Sequence, residues 1–257
     1  MSTNQIERAQ IFQRLHVPGK PLVLFNVWDA GSAIAVAKAG ASAIATGSWS
    51  IAAAHGVDDG EVLPLSDVLV NANRIATAVE LPVTIDFEAG YGKTPDGVGA
   101  SVAALLATGA IGVNIEDRFI DRDGLQSIVD QAARLTAARG AADTSGVPLF
   151  INARTDIFLN ALPAAHSSTM VDDALARAHA YADAGASGFF VPGLVDEFLL
   201  ERVCRESPLP VNVMMVAAAP NAARCAALGV ARISHGPGPY RAMAKWLESA
   251  AREVYAG

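Results

Sequence analysis

Cysteine is nearly absent: Cys204 and Cys225 are the only two in 257 residues. Two thiols supply neither a disulfide framework nor metal-ligand spacing, so they read as inert core residues of a reducing, cytoplasmic compartment. Charge is sparse as well. Charged residues make up 18%, and acids outnumber bases by 26 to 19, for a net charge of -7. That balance excludes the Lys/Arg-rich footprint of a nucleic-acid binder. No apolar run reaches the ~18 residues of a membrane span. The opening MSTNQIERAQIFQRL is polar and then amphipathic, unlike a secretory signal. Linkers, low-complexity tracts and charge blocks are missing too, so residues 1–257 read as one domain.

What is present is alanine, 51 residues of it, in a chain that is 52% hydrophobic. Such a composition favours close-packed helices. Along it runs an alternation. Short β-branched runs follow a proline (Pro21, Pro82, Pro148, Pro210) or a glycine (Gly40, Gly109, Gly185, Gly229) in turn. The glycines stand where a helix C-cap takes a left-handed residue, and the prolines where the chain no longer needs a helical N–H. Eight strands are expected, at 21–27, 43–47, 83–88, 111–116, 149–154, 188–191, 211–214 and 231–235. Helical patterns lie between them, at 65–79, 99–107, 126–139, 171–184, 196–206 and 221–228, with a last helix at 240–255. The strands are near-continuous apolar runs, as when both faces are buried. Eight such units make an α/β chain of the (β/α)8 TIM-barrel type. The rival is an open doubly wound sheet, which usually carries GxGxxG after its first strand; here NVWDAGSA follows instead.

In a barrel the chemistry sits at the carboxyl ends of the strands. The third expected strand ends Asp86-Phe87-Glu88, the fourth Asn114-Ile115-Glu116-Asp117 and the fifth Asn152-Ala153-Arg154-Thr155-Asp156. A period of two points Asp86 and Glu88 to one side, with Glu116 and Arg154 in matching phase on the neighbouring strands. Three carboxylates facing one point repel unless a cation joins them. All-oxygen ligation suits a hard ion, Mg2+ or Mn2+, with Asp86, Glu88 and Glu116 as the metal set. The bland alternative is a solvated barrel mouth lined with acids. Arg154 reads as a clamp for a substrate carboxylate or phosphonate, the alternative being an ion pair with Asp156 or Asp117.

At these residues the sequence resembles the isocitrate lyase/phosphoenolpyruvate mutase superfamily. The matching stretches are Thr46-Gly47-Ser48-Trp49-Ser50, Gly56-Val57-Asp58-Asp59-Gly60, Asp86-Phe87-Glu88-Ala89-Gly90-Tyr91-Gly92, Asn114-Ile115-Glu116-Asp117-Arg118 and Asn152-Ala153-Arg154-Thr155-Asp156. The resemblance implies Mg2+ on Asp86, with Glu88 and Glu116 acting partly through water. It implies a small 2-oxo or 2-hydroxy acid whose carboxylate meets Arg154 and whose oxygens meet backbone N–H groups around Ser48 and Trp49. Asp59 matches the acidic residue of a mobile loop and joins Arg154 as a catalytic candidate. Asn212, in the seventh expected strand, completes the substrate-binding set of Ser48, Trp49, Asp86 and Arg154. The eighth helix is commonly exchanged between subunits, implying a homodimer or homotetramer through Met243, Trp246, Leu247 and Val254.

The departures are specific. The lyases carry K-[KR]-C-G-H after the fourth strand, whereas Arg118-Phe119-Ile120-Asp121-Arg122-Asp123-Gly124 stands here. Their glutamate at the sixth strand end is replaced by Val191-Pro192-Gly193, and the mutase lysine by Arg118. The expectation is a Mg2+-dependent lyase that cleaves a C–C bond of a small 2-oxo or 2-hydroxy di-acid, by retro-aldol cleavage or decarboxylation through a metal-stabilised enolate. One alternative is a phosphonopyruvate P–C mutase or hydrolase; another is an inactive oxo-acid-binding protein. His55 is a secondary proton-donor candidate, its alternative a solvated loop histidine; His235, at the eighth strand end, either reaches the site or caps that strand, and His16 reads as a surface or helix residue. Ser234-His235-Gly236-Pro237-Gly238 is either a turn or a phosphate loop.

Overall fold

In the computed structural model, which describes residues 3–257, the four glycines of the alternation all have left-handed backbones. Their φ values are 94°, 95°, 91° and 89° at Gly40, Gly109, Gly185 and Gly229. Each ends a helix and turns the chain into a strand, which is how a one-dimensional pattern becomes a repeating β/α unit. Met1 and Ser2, at the head of the segment read as lacking a signal, lie outside the described residues.

The chain runs α1 (Thr3–Arg14), β1 (Leu22–Leu24), α2 (Ala30–Lys38), β2 (Ile44–Ala45), α3 (Ser48–Ala54) and α4 (Leu65–Ala78). It continues through β3 (Val83–Asp86), α5 (Pro95–Leu106), β4 (Gly112–Glu116), α6 (Ile128–Ser145), β5 (Phe150–Arg154) and α7 (Ser168–Asp183). Then follow β6 (Gly188–Phe190), α8 (Glu197–Glu206), β7 (Val211–Met214), α9 (Ala222–Ala227), β8 (Arg232–Ser234) and α10 (Gly238–Ala256). All eight expected strands are present, in parallel order β1-β8-β7-β6-β5-β4-β3-β2. Val27 closes the ring beyond β1, bridging to Thr46 with Val27 N–H on the Ala45 carbonyl at 2.8 Å and Gly47 N–H on the Val27 carbonyl at 3.1 Å. The fold is therefore a (β/α)8 barrel.

Helix starts follow local chemistry. Thr94 caps α5 through its Oγ1, 3.2 Å from Gly97 N–H, with Pro95 in the first turn. In the NVWDAGSA stretch Asp29 and Ser32 form a reciprocal capping box that starts α2, so that stretch opens a helix without being a phosphate loop.

The floor of the barrel corrects one reading. His16 is buried, with Nδ1 2.8 Å from the Phe12 carbonyl and its ring stacked on Phe150 at a centroid distance of 4.0 Å. Burial and nearby Arg232 hold its pKa down to about 3. The amphipathic start of the chain is a plug: Phe12 meets Phe150 edge-on, and Gln5 Nε2 donates to the Leu106 and Ala110 carbonyls. Cys204 and Cys225 are free thiols in α8 and α9, and burial pushes the Cys204 thiol up to about 12. No helix among the described residues is long and apolar enough to cross a membrane.

Helix α10 departs from the barrel. Of its 19 residues only Pro239 is buried. Trp246, Leu247, Val254 and Tyr255 are exposed on it, while Val23 and Phe25, at and just past β1, are about half exposed on the face left bare.

Candidate active site

Strand register assembles the site. Asp86 on β3 stands opposite Asn114 on β4, which stands opposite Asn152 on β5; two residues further along, Glu116 faces Arg154. Asn114 Oδ1 accepts from Asn152 Nδ2 at 2.9 Å and Arg232 Nη2 at 3.3 Å. This fixes the amide so that Nδ2 donates to Asp86 Oδ1 at 3.2 Å. Asp86 Oδ2 accepts from the N–H and the hydroxyl of Ser48, both at 3.1 Å. Ser48 opens α3 directly after β2, which explains why the Thr-Gly-Ser stretch lies against the third strand.

Arg154 is held on two sides. Its Nε and Nη2 donate to the two oxygens of Asp156 at 2.6 and 2.9 Å, and Nη1 lies 2.8 Å from Glu116 Oε2. Burial works against its charge, but Glu116 and Asp156 outweigh it and raise its pKa. Burial likewise raises the Glu116 carboxyl, against the pull of Arg154. Arg118 Nε reaches the other Glu116 oxygen at 3.3 Å. Asp117 points away from these groups. Its carboxylate is fully buried and takes Arg177 Nη1 at 3.0 Å, Tyr181 OH at 2.9 Å and Asp156 N–H at 3.0 Å, tying α7 to the strand ends.

Glu88 departs from the expected geometry. β3 stops at Asp86, and Glu88 takes a left-handed φ of 48°, so strand alternation no longer sets its direction. Its Oε2 accepts from Gly60 and Glu61 N–H at 2.7 and 2.5 Å, and its Oε1 from Tyr91 OH at 2.6 Å. Glu61 Oε1 accepts from Tyr91 N–H at 2.7 Å. The loop after β2 is thereby fastened over the barrel mouth. Burial pushes the Glu88 carboxyl up to about 7, and Asp59 and Asp86 add to the push. Gly92 is demanded by this turn: a Cβ there would lie 2.3 Å from Val98 N.

Between these groups lies a cavity of about 310 Å3. Ser48, Trp49, Asp59, Asp86 and Arg154, all named from the sequence, line it, together with Arg118, Asn114 and Asp156. Burial and Asp86 raise the Asp59 carboxyl. Glu88 and Glu116 do not line the cavity, and among the described residues no group of three or more His, Cys, Asp or Glu is placed to hold a metal ion. The expected convergence of Asp86, Glu88 and Glu116 is therefore corrected: of these three only Asp86 lines the cavity, because loop amides claim Glu88 and arginines claim Glu116. Asn212 is also outside the wall. It lies beneath Ser234, whose hydroxyl donates to Asn212 Oδ1 at 3.2 Å. His55 caps α3 with Nδ1 on the Ile51 carbonyl, and His235 packs against Phe25; neither lines the cavity.

Residues 12–255 match the phosphoenolpyruvate phosphomutase family. The 2-methylisocitrate lyase of Escherichia coli K12 is 30% identical over 225 residues, spanning 80% of this chain and 73% of the lyase. This chain belongs to the isocitrate lyase/phosphoenolpyruvate mutase superfamily. Within the superfamily, an uncharacterized Mycobacterium tuberculosis protein is 36% identical over 247 residues, covering 96% of this chain and 89% of its own. A crystal structure from Burkholderia cenocepacia J2315, provisionally assigned as a phosphonomutase, has a TM-score of 0.95 at 50% identity, covering 97% of this chain and 99% of that one. Relatives and structural neighbours in the superfamily are lyases and mutases acting on small acids. After β4, where the resemblance implies a cysteine loop in the lyases, this chain has a tight hairpin: Arg118 bridges Leu125, Phe119 N–H meets the Gly124 carbonyl at 3.1 Å, and Arg122 lies 3.7 Å over the Phe119 ring.

Several wall residues escaped the sequence reading. Asn26, just past β1, ties the ends of β8 and β2 together by accepting from Gly236 N–H and donating to the Thr46 carbonyl. Leu159 and Asn160 follow β5 in a loop without a motif, and Phe190 and Met214 look like ordinary core residues in the strand pattern. Their one signal is position at a strand's carboxyl end.

Proposed function

We propose that this chain is a Mg2+-dependent lyase that breaks a C–C bond of a small 2-oxo or 2-hydroxy acid. The observation that carries the reading is the pairing, in one cavity, of an arginine clamp with an Asp86 carboxylate beside which other acids crowd. Asp59, Asp86, Glu88, Glu116 and Asp156 gather against Arg118, Arg154 and Arg232, and mutual repulsion contributes to the upward push on Asp59 and Glu88. An all-oxygen set with surplus negative charge fits a hard divalent cation. Asp86 would hold it, with Asp59 on the same cavity wall. When bound, such an ion stabilises the oxyanion that develops as the bond beside a carbonyl breaks.

The chain's own residues do the rest. Arg154 offers its remaining Nη1 and Nη2 hydrogens to the substrate carboxylate, already oriented by Asp156 and Glu116. The fastened loop excludes water and brings Asp59 over the substrate. In a retro-aldol cleavage the electron pair of the broken C–C bond passes into the oxo-acid fragment as an enolate. The hydroxyl proton of the other fragment goes to the Asp59 carboxylate, and that fragment leaves as a carbonyl compound. Neither this reaction nor decarboxylation requires the missing lyase cysteine. The assay is turnover of a panel of 2-oxo and 2-hydroxy acids, with and without EDTA. The reading expects turnover that EDTA abolishes; turnover indifferent to EDTA removes the metal.

We also propose a cytoplasmic homodimer or homotetramer. A second copy's α10 fits the bare apolar face at Val23 and Phe25, and this copy's exposed Trp246, Leu247 and Val254 supply the matching surface.

A further inference from the structure

Arg118 and Asn160 stand where two cavities adjoin. Both line the catalytic cavity, and both line an outer cavity of about 300 Å3 between the hairpin after β4 and the loop after β5. β4 and β5 pair in parallel with Glu116 opposite Arg154, so the residues that follow each strand emerge side by side at the barrel mouth.

The two guanidiniums flank one carboxylate. Arg154 Nη1 lies 2.8 Å from Glu116 Oε2, and Arg118 Nε lies 3.3 Å from Oε1. Their other donors differ. Arg154 gives Nε and Nη2 to Asp156. Arg118 makes only the long Nε contact, and among the described residues neither its Nη groups nor the Asn160 side-chain amide has a hydrogen-bond partner. Gly60 leaves that fork uncovered, since a Cβ there would lie 3.2 Å from Arg118 Nη2. The Arg118 side chain is 37% exposed, so an anion entering from solvent reaches it.

Charge favours an anion on this side. In the outer cavity Arg118 and Arg122 face a single carboxylate, Asp123, whereas Asp59, Asp86 and Asp156 crowd the inner one. A guanidinium fork with an amide beside it presents the planar N–H donors that match a carboxylate.

We infer that Arg118 and Asn160 form a subsite for a second substrate carboxylate, at the end of the molecule remote from the one on Arg154. This rests on the oxo-acid reading above and deepens it: the substrate is a di-acid, and Arg118 and Asn160 determine that specificity.

The test is calorimetric binding to the full-length chain in Mg2+ buffer, using three probes. Oxalate reports the head site alone. 2-Oxoglutarate and 5-methyl-2-oxohexanoate share the oxo-acid head and have equal numbers of non-hydrogen atoms, but one ends in a carboxylate and the other in an isopropyl group. Whatever the ion adds at the shared head cancels in their ratio. Leu159 and Met214 in the same cavity favour the isopropyl group, so the charge-assisted bonds must outweigh that contact. The inference expects 2-oxoglutarate to bind at least about tenfold tighter than the branched acid. Asn160→Asp, at an exposed position, and Arg118→Gln should each erase or reverse the preference, and Arg118→Lys should restore part of it. Oxalate binding with the branched acid equal to or tighter than 2-oxoglutarate overturns the inference and leaves the oxo-acid reading standing. A preference that survives in both Asn160→Asp and Arg118→Gln overturns the assigned subsite. Failure of oxalate to bind overturns the oxo-acid reading, and the inference with it.

Discussion

Replacing Arg154 probes the clamp and its scaffold together. In Arg154→Ala, three short charged contacts disappear, at 2.6 and 2.9 Å to Asp156 and 2.8 Å to Glu116, and two buried carboxylates are left facing one another. Breaking a buried pair by removing one partner costs about 3–5 kcal/mol. The variant should therefore unfold at markedly lower urea than the wild type while still folding. Truncating one member of a buried charge pair also costs a ligand about 2–5 kcal/mol, roughly 30-fold to a few thousandfold in affinity. The assay is oxalate binding in saturating Mg2+, alongside urea denaturation. Arg154→Lys separates the two roles: a retained charge recovers most of the stability, while loss of the planar fork still weakens oxalate by at least about tenfold. A folded Arg154→Ala protein that binds oxalate within twofold of wild type refutes the clamp.

Acid should weaken the fold through His16. Its pKa falls from 6.5 in the unfolded chain to about 3 in the folded one, so the unfolded state binds the extra proton between those values. The His16 contribution is complete above pH 6.5 and declines by about 1.4 kcal/mol per pH unit down to pH 3, near 5 kcal/mol in all. Because the raised carboxyls of Glu88 and Glu116 oppose it at the upper end of that range, the check is the difference in denaturation midpoint between wild type and His16→Asn, which should shrink or change sign as pH falls; a difference constant with pH would contradict it. In Gly92→Ala the added methyl meets Val98 N at 2.3 Å. A loss of about 3 kcal/mol is expected, and an unchanged urea midpoint would contradict the tight turn. Leu247→Asp, at an exposed site on α10, should convert the proposed oligomer to a monomer in sedimentation velocity without loss of helical signal; an unchanged sedimentation coefficient would argue against that surface.

The barrel was legible because its punctuation is local. A helix that ends on Gly109 or Gly185 and a strand that opens after Pro82 or Pro148 announce themselves without tertiary information. The polar strand ends were legible for a related reason, since Asp86, Arg154 and Asp156 interrupt otherwise apolar runs. What eluded the pattern depends on backbone turns and long-range partners. Glu88 follows the strand by two residues, but its φ of 48° breaks the alternation that would have aimed it at the cavity. Glu116 keeps its strand direction and loses its freedom to arginines on its own loop and on β5. His16 read as a surface or helix residue because nothing local reveals that the start of the chain plugs the barrel against Phe150. Phe190 and Met214 cannot be told from core residues until the cavity they border exists.

The central claim is that Asp86 and the surrounding acids hold a hard cation to which an oxo acid binds with its carboxylate on Arg154. A crystal structure grown with Mg2+ and oxalate tests it most directly. The account predicts an ion on the Asp86 carboxylate, with oxalate between that ion and the Arg154 guanidinium. An empty cavity, or oxalate held elsewhere with no ion at Asp86, would contradict it.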